Sequence, residues 1–188
     1  MSTRRPGAVR IVAGAKRGRR IDVPKRGLVR PTSEMVREAV FDVLGPVNGL
    51  RVLDLFAGTG ALGLEALSRG AQECVFVEQD QGVVSILRDN IKALGYEQSS
   101  QVIAEDYRKA ALALERAGER FDLLFVDPPY RMLAEVETTL ATVVTELLSS
   151  EGVMVIEGAR SASATFGQSL VFEREYGDTK IVMVRHKE

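Results

Sequence analysis

The stretch "LLFVDPPYRML", residues 123–133, places an acid, two prolines and an aromatic directly behind an apolar run that reads as a buried strand. The prolines stiffen the turn and remove two backbone N–H donors, so the Pro128 carbonyl stands as an acceptor with little freedom to move. Asp127 supplies a second acceptor. An exocyclic amine on a nucleobase has its lone pair drawn into the ring. Two acceptors on its hydrogens orient it, favour transient sp³ character and stabilise the positive charge that grows as a methyl group arrives. Tyr130 can stack on the base and hold it edge-on to the donor. Asp127, Pro128, Pro129 and Tyr130 are therefore the candidate catalytic group; the plainer alternative is a Pro-Pro pair that merely ends a strand.

Three further acids stand at strand ends. In "DLFAGTGALG", Asp54 closes a strand, and Gly58, Gly60 and Gly63 complete a G-x-G-x-x-G before a helix, with Ala57 in the same turn. Glu78, followed by Gln79, ends "CVFVE" and can accept hydrogen bonds from ribose hydroxyls. Asp106, in "AEDY", is placed to accept from an adenine amine. Taken singly, each acid could equally be a helix N-cap or a solvated loop residue, and the glycine pattern alone equally suits a nicotinamide dinucleotide or a packing turn. Charge separates the cofactors. A pyrophosphate seeks backbone N–H groups and a positive helix end, and three carboxylates would repel it. S-adenosylmethionine carries a sulfonium and an ammonium, which an acid at the first strand end stabilises, while glycines let the backbone approach its methionine part. Asp54, Ala57, Gly58, Gly60, Glu78, Gln79 and Asp106 are the expected cofactor contacts.

The elements that must position these groups follow from periodicity. From residue 51 onward strand and helix alternate, which implies right-handed βαβ units and a mostly parallel sheet covered on both faces; ligands then sit beyond the carboxyl ends of the strands. The last two strands, "SLVFEREYG" and "TKIVMVRHK", are separated by a Gly-Asp turn and form an antiparallel pair. Between them and the fifth strand, "SARSASATFGQ" is a poor helix former. Before the sheet, "RPTSEMVREAVFDVLG" predicts a helix capped by Thr32 or Ser33, with Met35, Val36, Ala39, Val40, Val43 and Leu44 on its apolar side.

Charge divides the chain. Residues 1–30 hold ten Lys and Arg against Asp22 alone, whereas the remainder carries 15 basic and 25 acidic residues, for a net −1 overall. Val9, Ile11, Ile21 and Val23 alternate around "AKRG", so the head reads as a β-hairpin with a basic tip, and Arg10, Lys16, Arg17, Arg19 and Arg20 are the candidate RNA contacts. The plainer reading is a solvated charge run, and residues 1–7 are expected to be loose. The expected division is a basic hairpin arm over residues 1–30 and a catalytic domain over 31–188.

A chain of 188 residues suits one main core with a small appendage. No apolar stretch approaches the roughly 20 residues a membrane helix needs, and "MSTRRPGAVR" lacks a secretory h-region, so a cytoplasmic protein without membrane contact is expected. Cys74 and His186 are the only residues of their kinds, which leaves no Cys/His metal cluster and no disulfide within one chain.

With its motif spacing over residues 51–157, the chain resembles class I S-adenosylmethionine-dependent methyltransferases with a D/N-P-P-Y/F motif. More narrowly, "RIVAGAKRGRRIDVP", "RPTSEMVREAVFDVL", "VLDLFAGTGALGLEALSRGA", "FVEQD" and "FVDPPY" resemble the bacterial enzymes that methylate N2 of one guanine in 16S ribosomal RNA, and this likeness runs through nearly the whole chain. It implies an α/β class I methyltransferase (Rossmann-like) sheet. It also implies Asp54, Gly58 and Gly60 at the methionine part, Glu78 at the ribose, Asp106 at the adenine, and Asp127 through Tyr130 at the guanine. The implied partner is 16S rRNA within an assembled or assembling 30S subunit. Arg30, Pro31 and Thr32 fit the family pattern, but neither they nor Arg37 acquire a role from it. Two rivals stand beside this reading. A DNA or RNA adenine-N6 or cytosine-N4 methyltransferase shares the D-P-P-Y chemistry, but the DNA enzymes usually need a recognition domain for which no insertion leaves room. A non-enzymatic RNA-binding protein would leave the strand-end acids without purpose.

Overall fold

The structure, a computed structural model, describes residues 9–24 and 33–186. Arg30, Pro31 and Thr32, the expected loose terminus, and five of the ten basic residues of the head lie outside them.

The sheet has seven strands. β3 (Arg51–Asp54), β4 (Glu73–Val77), β5 (Ser100–Ile103), β6 (Phe121–Val126) and β7 (Leu148–Ala159) are parallel, and β8 (Ser169–Tyr176) and β9 (Thr179–Arg185) complete the order β5-β4-β3-β6-β7-β9-β8. β9 runs antiparallel to both of its neighbours. The expected mostly parallel sheet with an antiparallel end is thus what the chain forms. Because the chain moves outward from β3 in one direction and then resumes at β6 on the other side, the strand order reverses between these two strands, and a crevice must open there.

Helices α2 (Ala61–Ser68), α3 (Gln81–Leu94), α4 (Tyr107–Arg116) and α5 (Leu133–Leu147) cover the sheet. Alternation along the strands splits the core in two. Val52, Phe76, Leu123 and Phe125 pack with α2 and α3, whereas Leu53, Leu124, Val126 and Ile156 pack with α4 and α5. Residues 160–168 form no helix. Their loop is pinned instead by Glu137 of α5, which accepts the N–H groups of Thr165 and Phe166 at 2.8 and 2.9 Å.

Ser33, not Thr32, is seen capping α1 (Glu34–Leu44), accepting the Val36 N–H at 3.2 Å. The buried stripe of this helix is Val36, Arg37, Val40 and Phe41, while Met35 and Val43 are exposed. The predicted apolar face is therefore rotated, because a buried charge occupies part of the inner stripe.

That charge belongs to the docking of the N-terminal hairpin, whose strands β1 (Val9–Arg10) and β2 (Arg20–Ile21) are two residues each, shorter than the alternation predicts. Ile11 and Ile21 are fully buried within the α2–α3 side of the main core. Glu65 of α2, wholly inaccessible, accepts the N–H groups of Val12 and Ala13 at 2.8 and 2.9 Å and pairs with Arg69 at 2.8 Å. The buried Arg37 donates to the Arg10 carbonyl at 2.6 Å, and the side chain of Asn90 brackets the backbone of Asp22. The described part of the arm is therefore fastened along α1, α2 and α3, as a flap that shares their core.

Candidate active site

A cavity of about 660 Å³ opens at the reversal point between β3 and β6, within the size range of small-ligand sites. Four strand ends supply its walls. Asp54, at the end of β3, is 1% exposed; its Oδ2 accepts the Gly63 N–H at 3.1 Å, and its Oδ1 is buried with no hydrogen-bond partner among the described residues. Burial, opposed by the Gly63 and Phe56 N–H groups and reinforced by the nearby Glu78 charge, pushes the Asp54 carboxyl up to about 7. A buried carboxylate oxygen without a partner at the floor of a cavity favours a cationic group placed against it.

The turn after Asp54 explains its glycines. Gly58 takes a positive φ of 52° and lines the cavity with Ala57, so its backbone is open to close approach by a ligand. Gly60 also turns left-handed, at φ 92°, to start α2, but it does not line the cavity. Gly63 is a packing residue: a Cβ there would stand 2.3 Å from the Phe76 ring and 2.6 Å from the Cys74 sulfur. Of the three glycines, then, one faces the ligand space, one turns the chain into α2 and one lets α2 pack on β4.

Glu78 and Gln79, after β4, both line the cavity. Glu78 fastens the two loops together, accepting the Gly58 N–H at 3.1 Å through one oxygen and the Asp80 N–H at 2.8 Å through the other. A carboxylate has about four lone-pair sites, so both oxygens can still accept ribose hydroxyls. Asp106 is placed differently. It caps α4, its carboxylate accepts the Arg108 N–H and is paired with the Arg108 guanidinium at 2.9 Å, and this pairing holds it below its ordinary range; it does not line the cavity. The acid in the wall at that strand end is Glu105. Beside it Phe56 and Tyr107, with ring centroids 5.0 Å apart, give the cavity an apolar, aromatic side suited to a flat heterocycle.

Asp127, Pro128, Pro129 and Tyr130 form the opposite wall, directly after β6. Tyr130 begins a single 3₁₀ turn and its hydroxyl is hydrogen-bonded to Thr179 at the start of β9, which fixes the ring at the cavity edge. Glu157 of β7, 9% exposed, is a further acid in this wall. Phe56, Glu105 and Tyr107 lie within four residues after a strand, and Glu157 lies inside β7. They lacked a motif to single them out.

The sequence-predicted RNA contacts do not share this cavity. Lys16 lies against Ser68 at the far end of α2, seven residues and about 10 Å along the helix from Ala61 at the cavity. Its ammonium sits 5.6 Å above the Tyr96 ring, Arg19 donates to the Ala93 carbonyl, and the side chains of Arg10, Arg17 and Arg20 are exposed. Among the described residues no three His, Cys, Asp or Glu side chains are grouped to hold a metal, and no helix is long and apolar enough to cross a membrane.

A family described as "Conserved hypothetical protein 95" matches residues 9–185. The chain belongs to this family. Among its relatives is the Bacillus subtilis (strain 168) protein named "Putative rRNA methyltransferase YlbH", 34% identical over 185 residues that span 95% of this chain and 100% of that one. Ribosomal RNA small subunit methyltransferase D of Escherichia coli (strain K12) is 40% identical over 126 residues, 66% of this chain and 62% of that protein. Of solved structures, the one titled "Putative methyltransferase yhhF from Escherichia coli" superposes with a TM-score of 0.82 at 33% identity, over 96% of this chain and 99% of that one. The fold found here is thus shared with a solved protein titled as a putative methyltransferase.

Proposed function

We propose that the protein transfers a methyl group from S-adenosylmethionine to the exocyclic N2 of a guanine in 16S ribosomal RNA. The observation that carries the reading is the pairing of two walls across one cavity: a buried, cation-seeking Asp54 with the Gly58 turn on one side, and the Asp127-Pro128-Pro129-Tyr130 turn on the other. The names of the Escherichia coli and Haemophilus influenzae relatives, both ribosomal RNA small subunit methyltransferase D, support the substrate class.

When bound, S-adenosylmethionine supplies an electrophilic methyl on a sulfonium. The chain's residues do the rest. Asp54 faces the ammonium of the methionine part, Glu78 accepts from the ribose, and the Phe56–Tyr107 side receives the adenine. Asp127 and the Pro128 carbonyl accept the two N2 hydrogens, which turns the N2 lone pair toward the methyl and offsets the charge that develops on nitrogen. The N2–C bond forms as the C–S bond breaks, and one N2 proton leaves by way of Asp127 to solvent. Tyr130, held by Thr179, presents its ring to the base, which is splayed from its stack at a cost of a few kcal/mol. The exposed hairpin cations, outside the cavity lining, suit phosphates flanking the target. The chain's two units in this reading are the arm over residues 1–30 and the catalytic domain over 31–188, working in the cytoplasm on the 30S particle.

Inosine tests the acceptor atom, because it keeps the guanine ring, N1–H and O6 but lacks N2. A small-subunit particle carrying inosine at the mapped target position should bind and accept no label from methyl-labelled S-adenosylmethionine. Labelling at an undiminished rate would exclude N2.

A further inference from the structure

Asp127 does not by itself select guanine, since adenine N6 and cytosine N4 offer the same pair of hydrogens to the same acceptors. We propose that Glu157 makes that choice by accepting the N1–H of guanine beside the acceptors that hold N2; this rests on the guanine reading above.

The register supports the placement. Val126, the last residue of β6, is paired with Ile156 of β7, so Asp127 and Glu157 each follow directly on the last register pair of two neighbouring strands. Both line the cavity. Asp54, paired with Phe125, lies two residues lower, which keeps the deep cation-seeking acid apart from the pair at the rim. Glu157 is 9% exposed and lies inside β7, one residue past the last pair with β6, where the β9 ladder pairs it with Ile181 and continues through Ala159. Its backbone has little freedom to withdraw.

The chemistry follows from donor and acceptor patterns. The Watson–Crick edge of guanine presents two neighbouring donors, N1–H and N2–H₂. Adenine presents a lone pair at N1 beside its amine, and cytosine a lone pair at N3. An ionised carboxylate only accepts, so beside the amine acceptors it completes guanine and opposes a lone pair on the other two bases. With about four lone-pair sites, it can do so while keeping its contacts within the chain. A site built to pair a buried polar group rejects an analogue that cannot pair it far more strongly than an apolar pocket rejects a misshapen one.

The test compares guanine with 2-aminopurine at the target position of a reconstituted small-subunit particle. 2-Aminopurine keeps the 2-amino group but has a lone pair at N1. The wild type should prefer guanine. In Glu157→Gln the amide can turn its N–H₂ toward that lone pair, and the kcat/KM ratio of guanine to 2-aminopurine should narrow by about tenfold or more, within the range for one base-edge contact. An unchanged ratio overturns the proposal, and because both proteins meet the same missing O6, its loss does not affect the comparison. S-adenosylmethionine affinity and the thermal midpoint of Glu157→Gln should match the wild type; weakened cofactor binding would place Glu157 in the cofactor wall and equally overturn it. Failure of the underlying reading shows elsewhere, as methylation of inosine by the wild type.

Discussion

Burial of Asp54 gives cofactor binding a pH dependence whose sign and size follow from the site. Its carboxyl is raised from 3.8 to about 7, chiefly by desolvation. In the ligand-free protein the folded state holds this proton more tightly than the unfolded chain. Its contribution to stability is therefore complete below about pH 4 and is lost as the pH rises to about 7; at 1.36 kcal/mol per pH unit the loss is at most roughly 4 kcal/mol. Binding of an ammonium group reverses the preference, because the ionised carboxylate then has a partner, and so binding must release a proton below pH 7. The apparent dissociation constant scales as one plus the ratio of protonated to ionised Asp54. Between pH 5.5 and 7.0 that factor falls from about 33 to about 2, so affinity for S-adenosylmethionine should rise about 16-fold. This window stays below the 7.7–8.0 at which an α-amino group is half deprotonated. Calorimetry in two buffers of different ionisation enthalpy would report both the affinity and the released proton. In Asp54→Asn the slope should vanish and affinity should be low throughout. A wild-type affinity independent of pH across this window, or an equal slope in Asp54→Asn, would refute the role given to the buried acid.

Asp127→Ala should lower the methyl-transfer rate by at least about 10²-fold, comparable to losing one preorganised transition-state hydrogen bond, with cofactor affinity little changed; single-turnover rates and calorimetry read the two separately. Glu78→Ala removes both the fastening of the Gly58 turn and the proposed ribose acceptor, and should weaken S-adenosylmethionine binding, whereas Tyr130→Ala should spare it and weaken RNA engagement by about 1–3 kcal/mol; equal effects on cofactor affinity would contradict the two-wall geometry. Deleting the hairpin would strip partners from the buried Glu65 and Arg37, so its role in RNA binding is better tested at the exposed Arg17 and Arg20. Changing both to Gln should flatten the slope of log affinity against log salt by about 1.4, from about 0.7 for each phosphate on a single strand, and leave the thermal midpoint in place.

The sheet was legible because short, nearly continuous apolar runs alternate with 3.6-period stretches, and the D-P-P-Y turn and the glycine turn mark two of its strand ends. What the sequence hid has local causes. In "AEDY" two acids adjoin, and only the helix start decides that Asp106 turns back to cap α4 while Glu105 faces the cavity. Nothing in the sequence assigned Arg37 a role or singled out Glu65, yet they are the buried bond between hairpin and body, Glu65 accepting hairpin N–H groups and Arg37 donating to a hairpin carbonyl. The same buried arginine displaced Met35 and Val43 from the inner face of α1. Glu157 was invisible because its meaning depends on strand order: β7 lies beside β6 in space, 30 residues away in the chain.

Nucleoside analysis of the RNA product tests the central claim most directly. Small-subunit particles from cells lacking this protein would be incubated with it and methyl-labelled S-adenosylmethionine, digested to nucleosides, and separated by chromatography with mass detection. The label should elute with N2-methylguanosine, at one site per particle. Label eluting with N6-methyladenosine or N4-methylcytidine, or no transfer by a protein that binds both the particle and the cofactor, would contradict the account.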